Sequence, residues 1–316
     1  MIRIQKILFT TDFSECANRA LGHAVVMAQR YKARLVLLHV RTLIEDDANN
    51  PTMSFPGAME YRRALEQTAT HRLDELGESI ESQLHAEKVV ERGISSAERI
   101  IDFAMQNAVD LIVMGTHGRS GLSHLLLGSV AEKVVRFAPC PVMTVGKDEG
   151  HFPKRRTYSR ILVPIDFSEN SVKALRYGLQ FATAYKARLD LLHVIESANQ
   201  PAAYYNAQLP ATKPVSEIVA SGRREMDRLW AREIPVNVDC SSEVAIGRVH
   251  REIADYAKKN FLDLIVMGTH GLSGFERLLM GSVTEKVVRA ANCPVLTVKM
   301  AEREIIETAD LHAEAA

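Results

Sequence analysis

The stretch "DLIVMGTHGRSGLSHLLLGS" at residues 110–129 returns as "DLIVMGTHGLSGFERLLMGS" at residues 263–282. In both places an apolar run, typical of a buried strand, ends in glycine, and a later glycine-serine pair opens a segment of helical periodicity. The glycine spacing is the same in the two stretches, although the residues between the glycines differ. This pattern predicts a strand, a loop and a helix in which the backbone of the loop matters more than its side chains.

The whole chain is a duplication of one domain. "YKARLVLLHV" at 31–40 matches "YKARLDLLHV" at 185–194 in nine of ten positions. "GSVAEKVVRFAPCPVMTV" at 128–145 matches "GSVTEKVVRAANCPVLTV" at 281–298 in fourteen of eighteen positions. Because the offset is 153 or 154 residues throughout, the repeat is a domain and not a short solenoid unit.

The length of the chain agrees with two copies. A chain of 316 residues is long enough for about two domains, each with its own core. The segment between the copies is polar and bracketed by glycine and proline, as linkers are. We therefore predict a first domain at 1–146, a linker at 147–157, a second domain at 158–299 and an acidic tail at 300–316.

Composition and charge limit the function classes. Lys+Arg and Asp+Glu number 39 each, and this balance argues against nucleic acid or a membrane surface as a partner. The N-terminal residues lack the apolar core of a secretory signal, and no stretch approaches the about 18 apolar residues of a spanning helix, so we expect a cytoplasmic protein. The cysteines form no C-x-x-C pair, which favours buried structural thiols; they are Cys16, Cys140, Cys240 and Cys293.

The order of the elements indicates an α/β fold. In each copy, short apolar runs alternate with segments of helical periodicity, the longest of which lies at about 60–83 in the first copy. Continuously apolar strands that alternate with helices indicate a parallel sheet with both faces covered.

The glycine-spaced loop is suited to a phosphate group. In α/β sheets, ligands bind beyond the carboxyl ends of the strands, which is where this loop begins. Glycines allow positive φ and let the backbone approach a ligand closely, and a helix that starts at Gly128 and Ser129 offers free N–H groups to an anion. We therefore predict a phosphate-binding loop in each copy. The alternative is that the glycines only shape turns and that Ser129 is an N-cap. No Lys follows the last glycine, so the loop is not a Walker A loop, and it is not G-x-G-x-x-G.

The spacing G-x-x-G-(nine)-G-[ST], after "DLIVMG" and before "SVAEKVV…CPV", resembles the universal stress protein family. The resemblance covers nearly the whole chain as two tandem copies. It implies two tandem doubly wound domains, each a five-stranded parallel sheet of order 3-2-1-4-5 with helices on both faces. It also implies ATP binding, because members with the complete motif bind ATP and members without it generally do not.

The resemblance implies one ATP site in each domain, made of corresponding residues. Those of the first domain are Asp12, Val40, Met114, Gly115, Gly118, Arg119, Gly128, Ser129 and Val130. Those of the second are Pro164, Asp166, Val194, Met267, Gly268, Gly271, Gly281, Ser282 and Val283. The valines in the second strand of each copy would contact adenine, the methionines would line the base or ribose, and the glycines and serines would hold ribose and phosphates. The aspartates would lie near the adenosine or contact Mg²⁺.

The two copies differ at positions that matter for this expectation. The second copy has Pro164 where the first has Thr10, and it has Leu272 where the first has the basic Arg119. We therefore expect the second site to hold phosphate less firmly.

The resemblance also implies how the two domains associate. Single-domain members commonly dimerise through the last strand, so "PVMTV" at 141–145 and "PVLTV" at 294–298 are expected to pair as an intramolecular pseudo-dimer. Homodimerisation of the chain and a protein partner stay open. The loops at 42–59 and 195–216 differ most between the copies and are expected to serve as lids or partner surfaces.

Three functions are compatible with these features. The first is an ATP-binding, nucleotide-responsive stress module; the second is a slow ATPase or autokinase; the third is a structural scaffold that binds no nucleotide. A dedicated enzyme is disfavoured, because neither copy contains a recognisable Ser-His-Asp or paired-carboxylate pattern. His117 and His270 are expected to stabilise the turn or to lie beside the nucleotide, and His39 and His193 to be hydrogen-bonded in the core.

Overall fold

The computed structural model describes residues 2–42, 58–118, 127–146, 157–196, 215–271, 280–303 and 305–306. Arg119 and Leu272, most of the linker and most of the two divergent loops lie outside these residues. What the sequence predicts for them therefore stays a prediction.

Each copy folds as alternating strands and helices. The first copy contains β1 (Lys6–Thr10), α1 (Glu15–Tyr31), β2 (Arg34–Thr42), α2 (Ala58–Glu81), β3 (Ala86–Gly93), α3 (Ser96–Gln106), β4 (Leu111–Gly115), α4 (Ser129–Phe137) and β5 (Val142–Val145). The second contains β6 (Arg160–Pro164), α5 (Glu169–Tyr185), β7 (Arg188–Glu196), α6 (Val215–Glu233), β8 (Cys240–Gly247), α7 (Val249–Lys259), β9 (Leu264–Gly268), α8 (Ser282–Ala290) and β10 (Val295–Val298).

The strands of both copies form one ten-stranded sheet of order β3-β2-β1-β4-β5-β10-β9-β6-β7-β8. Neighbours within a copy are parallel, so the predicted order 3-2-1-4-5 is confirmed in each. β5 and β10 pair antiparallel, with Val295 opposite Thr144 and Thr297 opposite Val142. Each of these threonines also donates its hydroxyl to a carbonyl of the opposite strand. The last strands therefore join the two domains as a pseudo-dimer.

Apolar residues cover both faces of the sheet, because successive residues of a strand point to opposite sides. In β1, Ile7 and Phe9 belong to one core and Leu8 to the other. The first core contains residues of α1, α2, α5 and α6, and the second contains residues of α3, α4, α7 and α8. The predicted α/β fold with helices on both faces is thus confirmed. None of the helices in the described ranges has the length and apolar content that crossing a membrane requires.

The residues after β10 pack against the first domain. This segment, residues 299–303 and 305–306, is called the C-terminal strap below. Lys299 Nζ donates to the carbonyl of Ala138 at 2.5 Å, beyond the end of α4, and Arg303 N donates to the carbonyl of Pro139 at 2.9 Å. Lys173 in α5 donates to the backbone carbonyl of Lys299 at 2.7 Å. The strap therefore ties the second domain to the first.

Glu302 in the strap gives the stability of the chain a pH dependence. Its side chain is buried, and burial raises the pKa of the carboxyl from 4.5 to about 8, against the lowering effect of Lys299 and Lys173. Because the folded state holds this proton more tightly than the unfolded state, the contribution to stability is complete below about pH 4.5 and is lost as the pH rises to about 8. As the pH rises through this range, we expect the free energy of unfolding of Glu302→Gln to increase relative to that of the wild type. Urea unfolding at several pH values measures this difference. Parallel pH profiles for the two proteins would contradict this.

Candidate functional site

The carboxyl ends of three strands lie side by side at one edge of the first domain. Thr10 at the end of β1 pairs in register with Leu38 of β2 and with Met114 of β4. Helix α4 begins beyond this edge, and a cleft of about 190 Å³ opens between them. The parallel sheet thus places the glycine-spaced loop, the first-strand aspartate and the second strand around one space.

The cleft contains most of the residues predicted for the first site. Eight of them line it: Asp12, Val40, Met114, Gly115, Gly118, Gly128, Ser129 and Val130. The ninth, Arg119, is outside the described residues. Several further residues line the cleft that the sequence did not indicate, namely Thr10, Thr11, Ala17, Leu38, Ser96, Ile100, Thr116 and Ala131. The order 3-2-1-4-5 offered a signal for Ser96, because it puts the start of α3 beyond the same edge.

Asp12 lies in a tight turn between β1 and α1. Its Oδ1 accepts a hydrogen bond from Ser14 N at 3.0 Å, while the Ser14 hydroxyl caps α1 by accepting from Ala17 N at 3.2 Å. Phe13 between them has φ of 63°, a left-handed conformation that is costly for a bulky side chain. This strained turn fixes the carboxylate at the mouth of the cleft.

The glycines of the loop are required for close approach. A Cβ on Gly118 would stand 2.7 Å from Asp12 Oδ2, and one on Gly128 would stand 2.8 Å from the carbonyl oxygen of Thr116. A Cβ on Gly115 would stand 3.0 Å from the backbone of Cys16 and Ala17. The expectation of positive φ is wrong for these positions, since Gly128 has φ of −61° and the left-handed residue is Phe13. The absence of a Cβ instead lets Gly115 pack against α1 and Gly118 against Asp12.

Helix α4 begins without a capping side chain. Its N-cap is Gly128, so the alternative reading of Ser129 as the N-cap is wrong, and Ser129 is the exposed first residue of the helix. Helices α1 and α3 are capped by the hydroxyls of Ser14 and Ser95. The first-turn N–H groups of α4 have no acceptor within the helix, and they carry the positive end of its dipole. This arrangement suits an anion in the cleft.

His117 supplies a further polar group beside the cleft. Its Nδ1 lies 2.9 Å from the hydroxyl of Thr116, and its Nε2 is buried without a hydrogen-bond partner. A buried polar atom without a partner is costly, so this nitrogen suits a polar group of a ligand or a bound water. Within the described ranges, no three His, Cys, Asp or Glu side chains come together as a metal site.

His39 takes the core role expected of it. Its ring is buried, Nδ1 lies 2.7 Å from the carbonyl oxygen of Thr11, and the ring packs at 4.5 Å against that of Phe13. His193 makes the same contacts with Ile165 and Phe167, although it is half-buried.

Comparison with known proteins identifies the family. The model of the universal stress protein family matches residues 3–146 and 157–299. The chain belongs to this family. A universal stress protein of Mycolicibacterium smegmatis is 27% identical over 93% of this chain and 96% of its own length, and one of Methanocaldococcus jannaschii is 32% identical over 46% of this chain and 85% of its own. A universal stress protein structure from Archaeoglobus fulgidus has the same fold, with a TM-score of 0.68, 22% identity and coverage of 93% of this chain and 98% of that one.

The second universal stress domain repeats the turn at the aspartate and the uncapped helix start. Ser168 N donates to Asp166 Oδ1 at 3.0 Å, and a Cβ on Gly271 would collide with Asp166 Oδ2. Gly281 is the N-cap of α8 and has no side-chain cap, so Ser282 and Val283 again form the first turn of the helix. Gly271 therefore lies close against the carboxylate of Asp166, as Gly118 lies against that of Asp12 in the first domain.

The remaining second-domain residues occupy equivalent strands. Pro164 ends β6 and pairs in register with Leu192 of β7, the strand that contains Val194. Met267 is buried in β9, and Gly268 ends that strand with its Cβ position 2.9 Å from Asn170 Cβ.

The two universal stress domains differ in the first turn of the helix that follows the glycine-spaced loop. Thr284 replaces Ala131, and its hydroxyl donates to the carbonyl of Gly268 at 2.9 Å. Ala131 lines the first-domain cleft, so the equivalent place in the second domain contains a larger, polar side chain. Together with Leu272 in place of Arg119, this makes the two domains chemically distinct.

Proposed function

We propose that this chain is a nucleotide-responsive universal stress protein that binds ATP in the first-domain cleft and, more weakly, at the equivalent place in the second domain. The observation that carries the proposal is the uncapped start of α4, whose first-turn N–H groups open onto a cleft that Asp12 and the close-packed glycines border. Helix α8 starts in the same way in the second domain.

In this proposal, each part of the nucleotide would have its own contacts in the first cleft. The phosphates would accept hydrogen bonds from the first-turn N–H groups of α4 and from the Ser129 hydroxyl. The adenine would lie against the apolar Val40 and Met114, because pockets for small molecules combine apolar walls with a few polar groups. Asp12 would accept from a ribose hydroxyl or contact a Mg²⁺ ion that accompanies the phosphates.

The bound nucleotide would act as a signal to a protein partner. A slow ATPase or autokinase is the alternative, in which Asp12 would help to hydrolyse or transfer the γ-phosphate. Steady phosphate release that disappears in Asp12→Asn would favour the enzyme. A structural scaffold without nucleotide is the other alternative.

The test is to purify the full chain without added nucleotide, denature it, and identify any released compound by chromatography and mass spectrometry. We expect ATP to be released, and we expect titration of the emptied protein with Mg-ATP to show one tighter and one weaker site. Failure to release nucleotide, together with no binding in the titration, would overturn the proposal and favour the scaffold.

A further inference from the structure

Helix α4, whose start borders the first-domain cleft, receives a cation at its other end. The ammonium of Lys299 in the C-terminal strap donates to the carbonyl of Val135 at 3.2 Å and to that of Ala138, the C-cap of α4, at 2.5 Å. The last carbonyls of a helix have no donor within the helix, and they carry the negative end of its dipole. Lys299 therefore satisfies the carboxyl end of the same helix whose amino end is proposed to hold the phosphates.

Helix α4 is short enough for its two ends to depend on each other. It contains nine residues, from Ser129 to Phe137, and is therefore about 14 Å long. Helix formation is cooperative, and a helix of this length is marginal on its own, so order at one end supports order at the other. Because the start of α4 has no capping side chain, its first turn depends on the contacts that stabilise the rest of the helix.

Lys299 belongs to the second domain, so its contact with α4 crosses between the domains. It follows directly after β10, and Lys173 in α5 donates to its backbone carbonyl at 2.7 Å and to that of Met300 at 3.4 Å. Further along the strap, Arg303 N donates to the carbonyl of Pro139 at 2.9 Å. The ammonium thus reaches α4 from a backbone that a helix of the second domain holds in place.

The two copies differ at the position of this lysine. The residue that corresponds to Lys299 in the first copy is Gly146, which directly follows β5 as Lys299 follows β10. Gly146 lies beside the end of α8, since a Cβ on it would stand 3.4 Å from the carbonyl oxygen of Ala291, the C-cap of that helix. Glycine has no side chain that could donate to this carbonyl. At this position, therefore, an ammonium meets the first-domain helix, while a glycine stands beside the second-domain helix.

We propose that Lys299 is a positioning residue that couples the first-domain cleft to the second domain. By holding the carboxyl end of α4, it keeps the first-turn N–H groups in the arrangement that binds phosphate, so docking of the C-terminal strap and binding of the nucleotide favour each other. This inference rests on the proposed function, since the coupled ligand is the nucleotide whose phosphates lie at the start of α4. The coupling is reciprocal, because a ligand whose affinity depends on the docked strap stabilises the docked strap by the same factor.

The first test compares Mg-ATP titrations of three variants, each made together with Ser282→Asp so that the first domain alone is titrated. Lys299→Gln removes the charge, and a favourable charge at a helix end changes an equilibrium constant by about two- to fivefold, so we expect binding to be weaker by that factor. Lys299→Arg keeps a cation that can donate to both carbonyls and should bind like the Ser282→Asp chain. Lys186→Gln removes an exposed cation from the end of α5; it is the matched control and should also bind like that chain.

The pH of these titrations matters because two groups in the strap titrate. Burial raises the pKa of Glu302 to about 8, and its ionised carboxylate would offset the charge of Lys299. Burial also lowers the pKa of Lys299 from its ordinary value of 10.5. The titrations are therefore made at about pH 6.5, where Glu302 is neutral and Lys299 is charged.

The second test leaves Lys299 in place, so it does not depend on a variant that could damage the strap. Mg-ATP should slow hydrogen–deuterium exchange of the amides at 299–303 in Ser282→Asp, as measured by mass spectrometry, and should leave it unchanged once Ser129→Asp is added. Equal affinities of Lys299→Gln and Lys299→Arg, or unchanged exchange in a chain that binds Mg-ATP, would overturn the coupling and leave the proposed function intact. A wild type that binds no Mg-ATP would overturn the proposed function, and the coupling with it.

Discussion

Ser129→Asp is expected to weaken ATP binding by the first domain at least about a hundredfold without disturbing the fold. Ser129 is exposed and is the first residue of α4, so the new carboxylate would stand where the phosphates are proposed to bind. Two unit charges about 4 Å apart near a protein surface interact by about 4 kcal/mol, which is more than a hundredfold in affinity. The same carboxylate should stabilise α4 by about 0.3–1 kcal/mol, because it lies at the positive end of the helix dipole. Calorimetric titration with Mg-ATP and thermal unfolding measure the two effects separately.

Two further variants make this result specific. Ser129→Ala removes one hydroxyl donor and should weaken binding by no more than about tenfold, since a neutral hydrogen bond contributes about 0.5–1.5 kcal/mol. Ser282→Asp should remove the weaker site and leave the tighter one unchanged. Wild-type affinity and stoichiometry in Ser129→Asp would mean that no phosphate binds at the start of α4.

The parallel sheet could be predicted from the sequence because each strand is a short, locally recognisable run of apolar residues. Runs such as "DLIVM" at 110–114 are apolar throughout, and such runs form parallel strands only when helices bury both faces. The glycine loop could be placed at the carboxyl ends of the strands in this way, whereas the other residues of the candidate site and the strand order came from the resemblance to the family. Asp12, Val40 and Gly128 are distant in sequence, yet the strand order was sufficient to bring them together.

Other features depend on contacts that no local pattern encodes. Lys299 caps the end of α4 by a hydrogen bond to Ala138, across 161 residues of sequence, and nothing near Lys299 indicates that partner. The prediction of positive φ for the glycines is wrong for a similar reason. A glycine at negative φ looks dispensable until the neighbour that crowds its Cβ, such as Asp12 beside Gly118, is known.

The difference between Val36 and Asp190 can be seen when the repeats are aligned, but the sequence does not show its consequence. Its effect on charge depends on Arg160, 30 residues away, and on Ser241, 51 residues away, which the sheet brings to Asp190. A difference between two copies of a repeat therefore becomes informative only when the strand neighbours are known.

The association of the two domains leads to a second large expected effect, at Tyr158. This residue lies just before β6, is 1% exposed, and is among the largest fully buried side chains of the described chain. Its hydroxyl lies 2.8 Å from Nδ1 of the buried His23 in α1, and its ring packs edge-on against Tyr185 at 5.0 Å. Tyr158 therefore links the helices of the two domains behind the β5–β10 pair.

Tyr158→Ala is expected to lower the free energy of unfolding by about 3–5 kcal/mol, because truncating a buried aromatic side chain leaves a cavity that the surroundings cannot fill. Tyr158→Phe keeps the ring and should cost only about 1 kcal/mol, for the lost hydrogen bond to His23. Phe261→Ala, at a side chain that is 84% exposed, serves as the control and should change stability by less than about 0.5 kcal/mol. Urea unfolding followed by circular dichroism measures all three. A loss below about 1 kcal/mol in Tyr158→Ala would mean that the antiparallel strand pair and the C-terminal strap hold the domains together without the aromatic contact.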